Sequence, residues 1–368
     1  MEELIFNKSP APTIGVELEL QILDADTLEL TSLAPELLQM VPPSLKERIK
    51  SEFIQSMVEI NTGVCATVAE VERDLKSTFS FLNELTESMG RTLFAVSLHP
   101  FSMGNAQKVS DDPRYKRIMD DLQLVGRRFI TQGLHVHIGI DNEEKVIKVN
   151  NNLRIYLPLL LALSTSSPFY ESVDTGLMSY RSKLFEALPL AGMPDSLRDW
   201  NEFNNLIQLL RMGGIIQSVK DIWWDVRPHP DFGTIEIRIC DLPYSLRDIL
   251  AITALIQSLV LTLAEEPERP EPHSQILRSN KWQAARYGLE GVFVDPFFAQ
   301  RHSMKEAVMN LYNMVKPVSE MLKSTEYLAE VPEILKRTTG AHIQKELYYG
   351  NGKNFQAMIK SVQRMFIT

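Results

Sequence analysis

Cysteine is nearly absent: 368 residues include two, Cys65 and Cys240. They stand in no metal-ligand spacing, so a disulfide framework is excluded and a reducing cytoplasm is the expected compartment. Basic charge is also short, with 38 Lys and Arg against 47 Asp and Glu and a net charge of −9. That balance argues against a nucleic-acid backbone as the main partner. It leaves room for anionic small substrates, because bound cations can invert the local field. Long apolar runs are missing too. The longest, ILAITALIQSLVLTLA at 249–264, is short for a membrane span and interrupted by Thr, Gln and Ser, so a buried core helix and no membrane partner are expected. The opening MEELIFNKSPAP has no basic region followed by an apolar core, and no signal peptide is expected. Neither GxGxxG nor GxxxxGK(S/T) occurs, so neither a Rossmann nor a P-loop nucleotide site is supported.

What is present is ordinary globular material, 44% hydrophobic and 23% charged. The length admits two or three domains or one large enzyme domain. Helices are expected from a Thr67…Glu70 capping box to Gly90, from Asp112 to Phe129 with Pro113 in the first turn, and from Asp141 to about Ser166. Two more are expected over Ser245 to Glu265 and Ser303 to Lys323. The Pro-rich EEPERPEPHS at 265–274 reads as an exposed loop between helices. Short strands are expected over 14–22, about 52–60, 92–98, 133–140 and 233–240. Antiparallel strands among long helices, without regular βαβ alternation, point to an α+β fold.

Three of these strands share a peculiarity. In PTIGVELELQ, alternation puts Val16, Leu18 and Leu20 on one face and Glu17 and Glu19 on the other, roughly 7 Å apart along the strand. In GLHVHIGI, His135 and His137 share a face, and in GTIEIRIC so do Glu236 and Arg238. A wet antiparallel sheet would also show polar outward residues, but it favours Thr, Lys and Ser over a Glu-Glu, His-His and Glu-Arg set. That set suits cations and phosphates. Adjacent carboxylates are tolerable beside a divalent metal, and SMVEINTG adds Glu59 at a strand end. His-x-His by itself also fits a zinc site or a pair of satisfied core histidines.

Five segments, TIGVELELQ, GLHVHIGI, DTGLMSYRSKLFEALPLAGMP, WWDVRPHPDFGTIEIRICD and NKWQAARYGLEG, occur in order between about residues 12 and 292. Together they resemble the glutamate–cysteine ligase type 2 family, in particular the bacterial carboxylate–amine ligases with weak glutamate–cysteine ligase activity. The resemblance implies a glutamine-synthetase-like antiparallel sheet forming a concave active-site wall packed with long helices, one catalytic domain over 1–368, dependence on ATP and Mg²⁺, and a homodimer. It implies metal binding by Glu17, Glu19, Glu59, His137 and Glu236, with His135 less firmly placed. Arg238 falls where the family has an arginine near the transferred phosphate. Arg181 falls at a substrate- or phosphate-contacting arginine, and Arg286 at a nucleotide contact. Leu18 and Gln132 depart from the family's usual Glu and Cys, at positions that carry no proposed ligand.

The implied chemistry is activation of the glutamate γ-carboxyl as an acyl phosphate, followed by attack of an amine such as cysteine. Trp223, Trp224, Asp225 and Arg227 precede the Glu236 strand and could line the site or simply pack. Cys240 reads as a small buried residue. Two rivals stand beside this reading: a zinc-dependent amidohydrolase-like enzyme built on His135 and His137, and a non-catalytic nucleotide-binding regulator.

Overall fold

Val16, Leu18, Leu20 and Ile22 alternate along strand β1 (Ile14–Asp24), and none is more than 1% exposed. Their face supplies the core, and the strand is the axis of the sheet. The fold is described by a computed structural model covering residues 4–10, 12–267 and 269–367. The other strands of this sheet are β2 (Ile49–Ser51), β3 (Met57–Asn61), β4 (Arg91–Phe94), β5 (Leu134–Gly139), β6 (Val226–His229) and β7 (Thr234–Ile237). They form one seven-stranded sheet in the order β6-β7-β5-β1-β3-β2, and β4 pairs with the far end of β1. Every pairing in it is antiparallel.

One face of this sheet is covered by helices. Val58, Ile60, Leu134, Val136, Ile138, Ile235 and Ile237 join the β1 residues in a single apolar cluster. Helices α1 (Val68–Ser88), α4 (Glu143–Leu153) and α7 (Leu246–Glu265) bury their apolar sides in it. Each such side chain removed from water contributes about 1.5–3 kcal/mol. By length and composition α7 could cross a membrane, but here its side chains are buried in the protein core, as its interrupted sequence suggested.

The expected helices are present with differences at their ends, while the strand expected over about 52–60 starts only at Met57 and that over 92–98 stops at Phe94. Helix α1 has Thr67 as its N-cap and Gly90, at φ 69°, just past its end. The Glu70 carboxylate reaches back to the Ala66 N–H (2.6 Å) rather than to that of Thr67. The helix expected over Asp112 to Phe129 is two: α2 (Pro113–Leu122) and α3 (Leu124–Arg127), parted at Gln123 with φ 49°. The segment expected from Asp141 is also two helices. Asn142, not Asp141, caps α4, and α5 (Leu157–Ser164) starts afresh with Pro158 in its first turn, where a missing N–H costs nothing. Further on lie α6 (Arg181–Glu186), α8 (Ser274–Tyr287) and α9 (Met304–Met321), the last with a Ser303/Glu306 capping box. The Pro-rich stretch does join α7 to α8, and Glu268 within it lies outside the described residues.

Beyond β4, the chain turns at His99, which is fully buried. Its Nε2 lies 2.9 Å from the Leu28 carbonyl and its Nδ1 accepts the Ser102 N–H at 2.9 Å, a pairing that requires the neutral ring. Burial pushes this imidazole down to about 3. A folded value below the unfolded one, about 6.5, means its stabilisation is complete above that pH and is lost as pH falls toward 3. Urea midpoints should therefore drop on acidification from pH 6.5 to 4, and less steeply in His99→Gln; parallel slopes in the two proteins would refute this account.

Candidate active site

Register carries the site-forming side chains to one place. On the face opposite Val16 and Leu18, Glu17 stands across from His135 and Glu19 across from Glu59. His137 on β5 faces Glu236 on β7, and Glu236 in turn faces Arg227 on β6. Strands far apart in sequence thus place their ionisable residues on the wall of one cleft of about 280 Å³. Its apolar wall includes Phe53, Tyr115, Phe129 and Phe185. A wider hollow of about 410 Å³ lies between Phe79 and residues 362–367, but neither cluster of candidate cation ligands among the described residues touches it.

The cleft has two electrostatic halves. In the first, Glu236 is 1% exposed and carries its own counter-charges. Its Oε2 accepts from Arg227 Nε (3.0 Å) and Nη2 (2.7 Å), and its Oε1 accepts from Arg238. Burial opposes this charge, yet the two guanidinium groups hold the carboxyl well below the usual range. His137 places Nε2 at 3.4 Å from Glu17 and 3.8 Å from Glu236, while its Nδ1 meets the Thr234 hydroxyl at 3.0 Å. Against burial, the charges of Glu236 and Glu17 push its pKa up. His135 contacts Glu17 through Nδ1 at 3.3 Å, but burial and the neighbouring Arg238 push it down. Glu17 is held below the carboxylate range by both rings, despite its burial. The two rings are thus pushed in opposite directions, His135 down and His137 up.

The second half is Glu19, Glu52 and Glu59, which can each bring a carboxylate oxygen within 4.8 Å of the other two. Glu19 accepts the Gly133 N–H (2.6 Å), Glu52 the Phe53 N–H (2.9 Å) and Glu59 the Asn61 amide (2.7 Å). Counter-charge is scarce here. Among the described residues, the ion-pair contact to these carboxylates is His135 Nε2, 3.9 Å from Glu19. Burial and the charge of Glu19 push Glu52 up to about 7, and burial with the charges of Glu17 and Glu52 pushes Glu59 well up. A divalent cation would supply what this half lacks, and three carboxylates are the hard oxygen donors that Mg²⁺ prefers. Glu17, His135 and Glu236 form a second possible group, and the ring Nε2 atoms of His135 and His137 have no hydrogen-bond partner.

The structure therefore gathers Glu17, Glu19, Glu59, His137, Glu236 and Arg238 in one cleft, as the sequence suggested. Two of the expected residues lie off its lining. The Arg181 guanidinium is 2% exposed and does not line the cleft; it is engaged by the carbonyls of Arg238 and Ile239 (3.2 and 3.3 Å). Arg286 donates to the Gly176 carbonyl and lies 4.8 Å from the Tyr287 ring, also off the cleft lining. Trp223 and Arg227 line the cleft, Trp224 packs on the core, and Asp225 pairs with Lys281 at 2.5 Å. Cys240 is fully buried, and burial pushes its thiol up to about 12. Glu52 escaped the sequence reading. Its signal was a lone glutamate in KSEFIQS, which periodicity assigned to a strand.

Comparison with known proteins identifies the fold first. A glutamate–cysteine ligase of Francisella tularensis, solved with AMP, superposes with a TM-score of 0.72 over 98% of this chain and 89% of its own, at 15% identity. A bifunctional glutathione synthetase of Pasteurella multocida gives the same score over 96% of this chain and 52% of its own, at 14% identity. The α+β ligase fold expected from the sequence is borne out. A Gloeobacter violaceus protein provisionally named glutamate–cysteine ligase 2 is 40% identical over 349 residues, 93% of this chain and 94% of that one. A Frankia alni relative, provisionally named glutamate–cysteine ligase 2-1, is 38% identical over 353 residues, 94% of this chain and 92% of its own. The profile of glutamate–cysteine ligase family 2 matches residues 13–361, and the chain belongs to that family. It is an ATP-dependent carboxylate–amine ligase, forming a C–N bond; neither the zinc hydrolase nor the binding-only regulator is favoured.

The two-guanidinium clamp on Glu236 yields a stability test. Arg227→Met removes two bonds to a carboxylate that is only 1% exposed and should destabilise the fold by about 3–5 kcal/mol. Urea unfolding measures this; an unchanged midpoint would mean that Arg238 alone suffices to neutralise Glu236.

Proposed function

We propose that the acid is the γ-carboxyl of glutamate and that the acceptor is a small amine such as cysteine. The observation that carries this reading is the asymmetry of the cleft: a carboxylate trio short of positive charge beside a half rich in arginine. Such a pair of surfaces suits a polyphosphate, whose oxygens can meet a cation on one side and guanidinium groups on the other. Glu19, Glu52 and Glu59 fit Mg²⁺ as an all-oxygen donor set, with Glu17 at their edge. Bound there, Mg²⁺ would offset the negative charge that develops during phosphoryl transfer.

This chain's own residues do the rest. Arg238 presents a planar fork toward the cleft and is assigned to the transferred phosphoryl group and the acyl-phosphate oxygens. Glu236, already bonded to Arg227 and Arg238, is assigned to aiming that fork rather than to ligating metal. His137, between Glu17 and Glu236, is assigned to offsetting the repulsion of those two carboxylates. In the reaction itself, the glutamate carboxylate takes the γ-phosphoryl and ADP departs. The amine then attacks the acyl carbon, the C–O bond to phosphate breaks, and a proton leaves the nitrogen as the amide forms. The apolar wall of Phe53, Phe129 and Phe185 keeps water from competing for the acyl phosphate.

Purified protein with ATP, Mg²⁺ and glutamate should release phosphate when the right amine is added, and a panel of amino acids and amines identifies it. Glu17→Gln and Glu59→Gln should each reduce that release at least about a hundredfold while the circular dichroism stays unchanged. Full turnover in either variant would remove the cation assignment. Glutamate-independent turnover with another acid would overturn the substrate.

A further inference from the structure

Arg238 stands one residue past the end of β7, whose ladder pairings stop at Ile237. Strand register therefore does not hold its backbone. Two other groups do. Its N–H donates to the Asp225 carbonyl at 2.9 Å, and its own carbonyl accepts from Arg181 at 3.2 Å. The next residue is held in the same way, with the Ile239 N–H on the Asp225 carbonyl (3.1 Å) and the Ile239 carbonyl on Arg181 (3.3 Å).

Both holders belong to buried ion pairs. Arg181 lies 4.0 Å from Asp241, which is fixed by the Ser166 N–H (2.8 Å) and by the hydroxyls of Ser167 (2.7 Å) and Ser179 (2.9 Å). Asp225 bonds Lys281 at 2.5 Å, and Lys281 also reaches Glu186 at 3.0 Å. Buried charge pairs are poor stabilisers, since apolar residues of equal volume often do as well. Their presence on both sides of one peptide calls for a purpose beyond folding. Gly133 supplies a further link. A Cβ there would lie 2.3 Å from the Arg181 guanidinium, and its N–H is the donor that orients Glu19. The same guanidinium thus rests against the backbone behind an arginine and a carboxylate of the cleft.

We propose that Arg181 is a positioning residue. Together with the Asp225–Lys281 pair it clamps the backbone of residues 238–239, so that the Arg238 fork is aimed across the gap between the β7 ladder and the Leu134 N–H bond to the Cys240 carbonyl. The inference rests on the reading that Arg238 meets the transferred phosphoryl group. A lysine cannot span both carbonyls as the planar guanidinium does, so the conservative exchange does not rescue the function.

The test is a double-mutant cycle of Arg181→Lys and Arg238→Lys, with kcat and both KM values measured. Arg181→Lys alone should lower kcat roughly ten- to a hundredfold, the loss that a displacement near 1 Å brings. The KM values for ATP and glutamate should stay within about threefold, because no substrate contact is removed. In the Arg238→Lys background the same exchange should cost less than about twofold, since residues that act as one do not add. Multiplicative losses, or a raised KM with kcat intact, would overturn the proposal and make Arg181 an independent or substrate-binding group. If Arg181→Lys does not fold, Gly133→Ala displaces the guanidinium from the other side, and the cycle with Arg238→Lys is read by the same criteria. Wild-type turnover in Arg238→Lys by itself would instead bring down the reading of the active site, and the catalytic role of the clamp with it.

Discussion

Repulsion between buried carboxylates is the constraint around which this protein is arranged. Glu17, Glu19, Glu52, Glu59 and Glu236 share one cleft, and each needs compensation for the water it gives up there. The chain meets the cost in two ways. Arg227, Arg238 and His137 offset Glu236 and Glu17 with bonds that also fix their directions. Glu19, Glu52 and Glu59 are offered backbone and amide donors instead, which orient them but leave their charge largely uncompensated. The result is a surface that is satisfied on one side and seeks a cation on the other. An acidic protein can handle anionic substrates because of that division, without a basic surface.

The scaffold serves this arrangement through its central strand. β1 has neighbours along its whole length, β3 and β5 on its two edges and β4 at its far end. Its back residues are sealed beneath helices, so the front residues cannot slip register without exposing Val16, Leu18 and Leu20. Where the ladder stops, the backbone needs other supports. Asp225, Arg181 and Gly133 provide them at the end of β7, with charged groups buried deep enough that solvent does not loosen them.

How much of the site was legible follows from the same geometry. Period-two alternation exposed Glu17 with Glu19, His135 with His137 and Glu236 with Arg238, because both members of each pair lie on one continuous extended segment. Glu52 was hidden for the converse reason. An unbroken strand over 52–60 would set Glu52 and Glu59, seven residues apart, on opposite faces. The chain instead turns between β2 and β3, with the Gln55 N–H on the Lys108 carbonyl, and this brings the two carboxylates together. Arg181 and Arg286 lie off the cleft lining, and their sequence could not show it for a different reason. A guanidinium in a motif does not announce whether it faces substrate or main-chain carbonyls; five donors suit either. The helix break at Gln123 was equally silent, since no proline or glycine stands there, whereas Pro158 marks the start of α5.

By itself, the sequence determined the α+β class, the burial of α7, the paired ionisable residues on three strands and the family to which they belong. All of these are local or periodic properties, set by alternation, capping and short motifs along a few neighbouring residues. The tertiary structure alone decided that Glu52 completes the carboxylate trio, that Glu236 is bound by two arginines, and that Arg181 lies behind the cleft rather than in it. Those facts depend on which residues from distant segments become neighbours, and electrostatic energy between side chains is fixed by distance in space, not by separation along the chain.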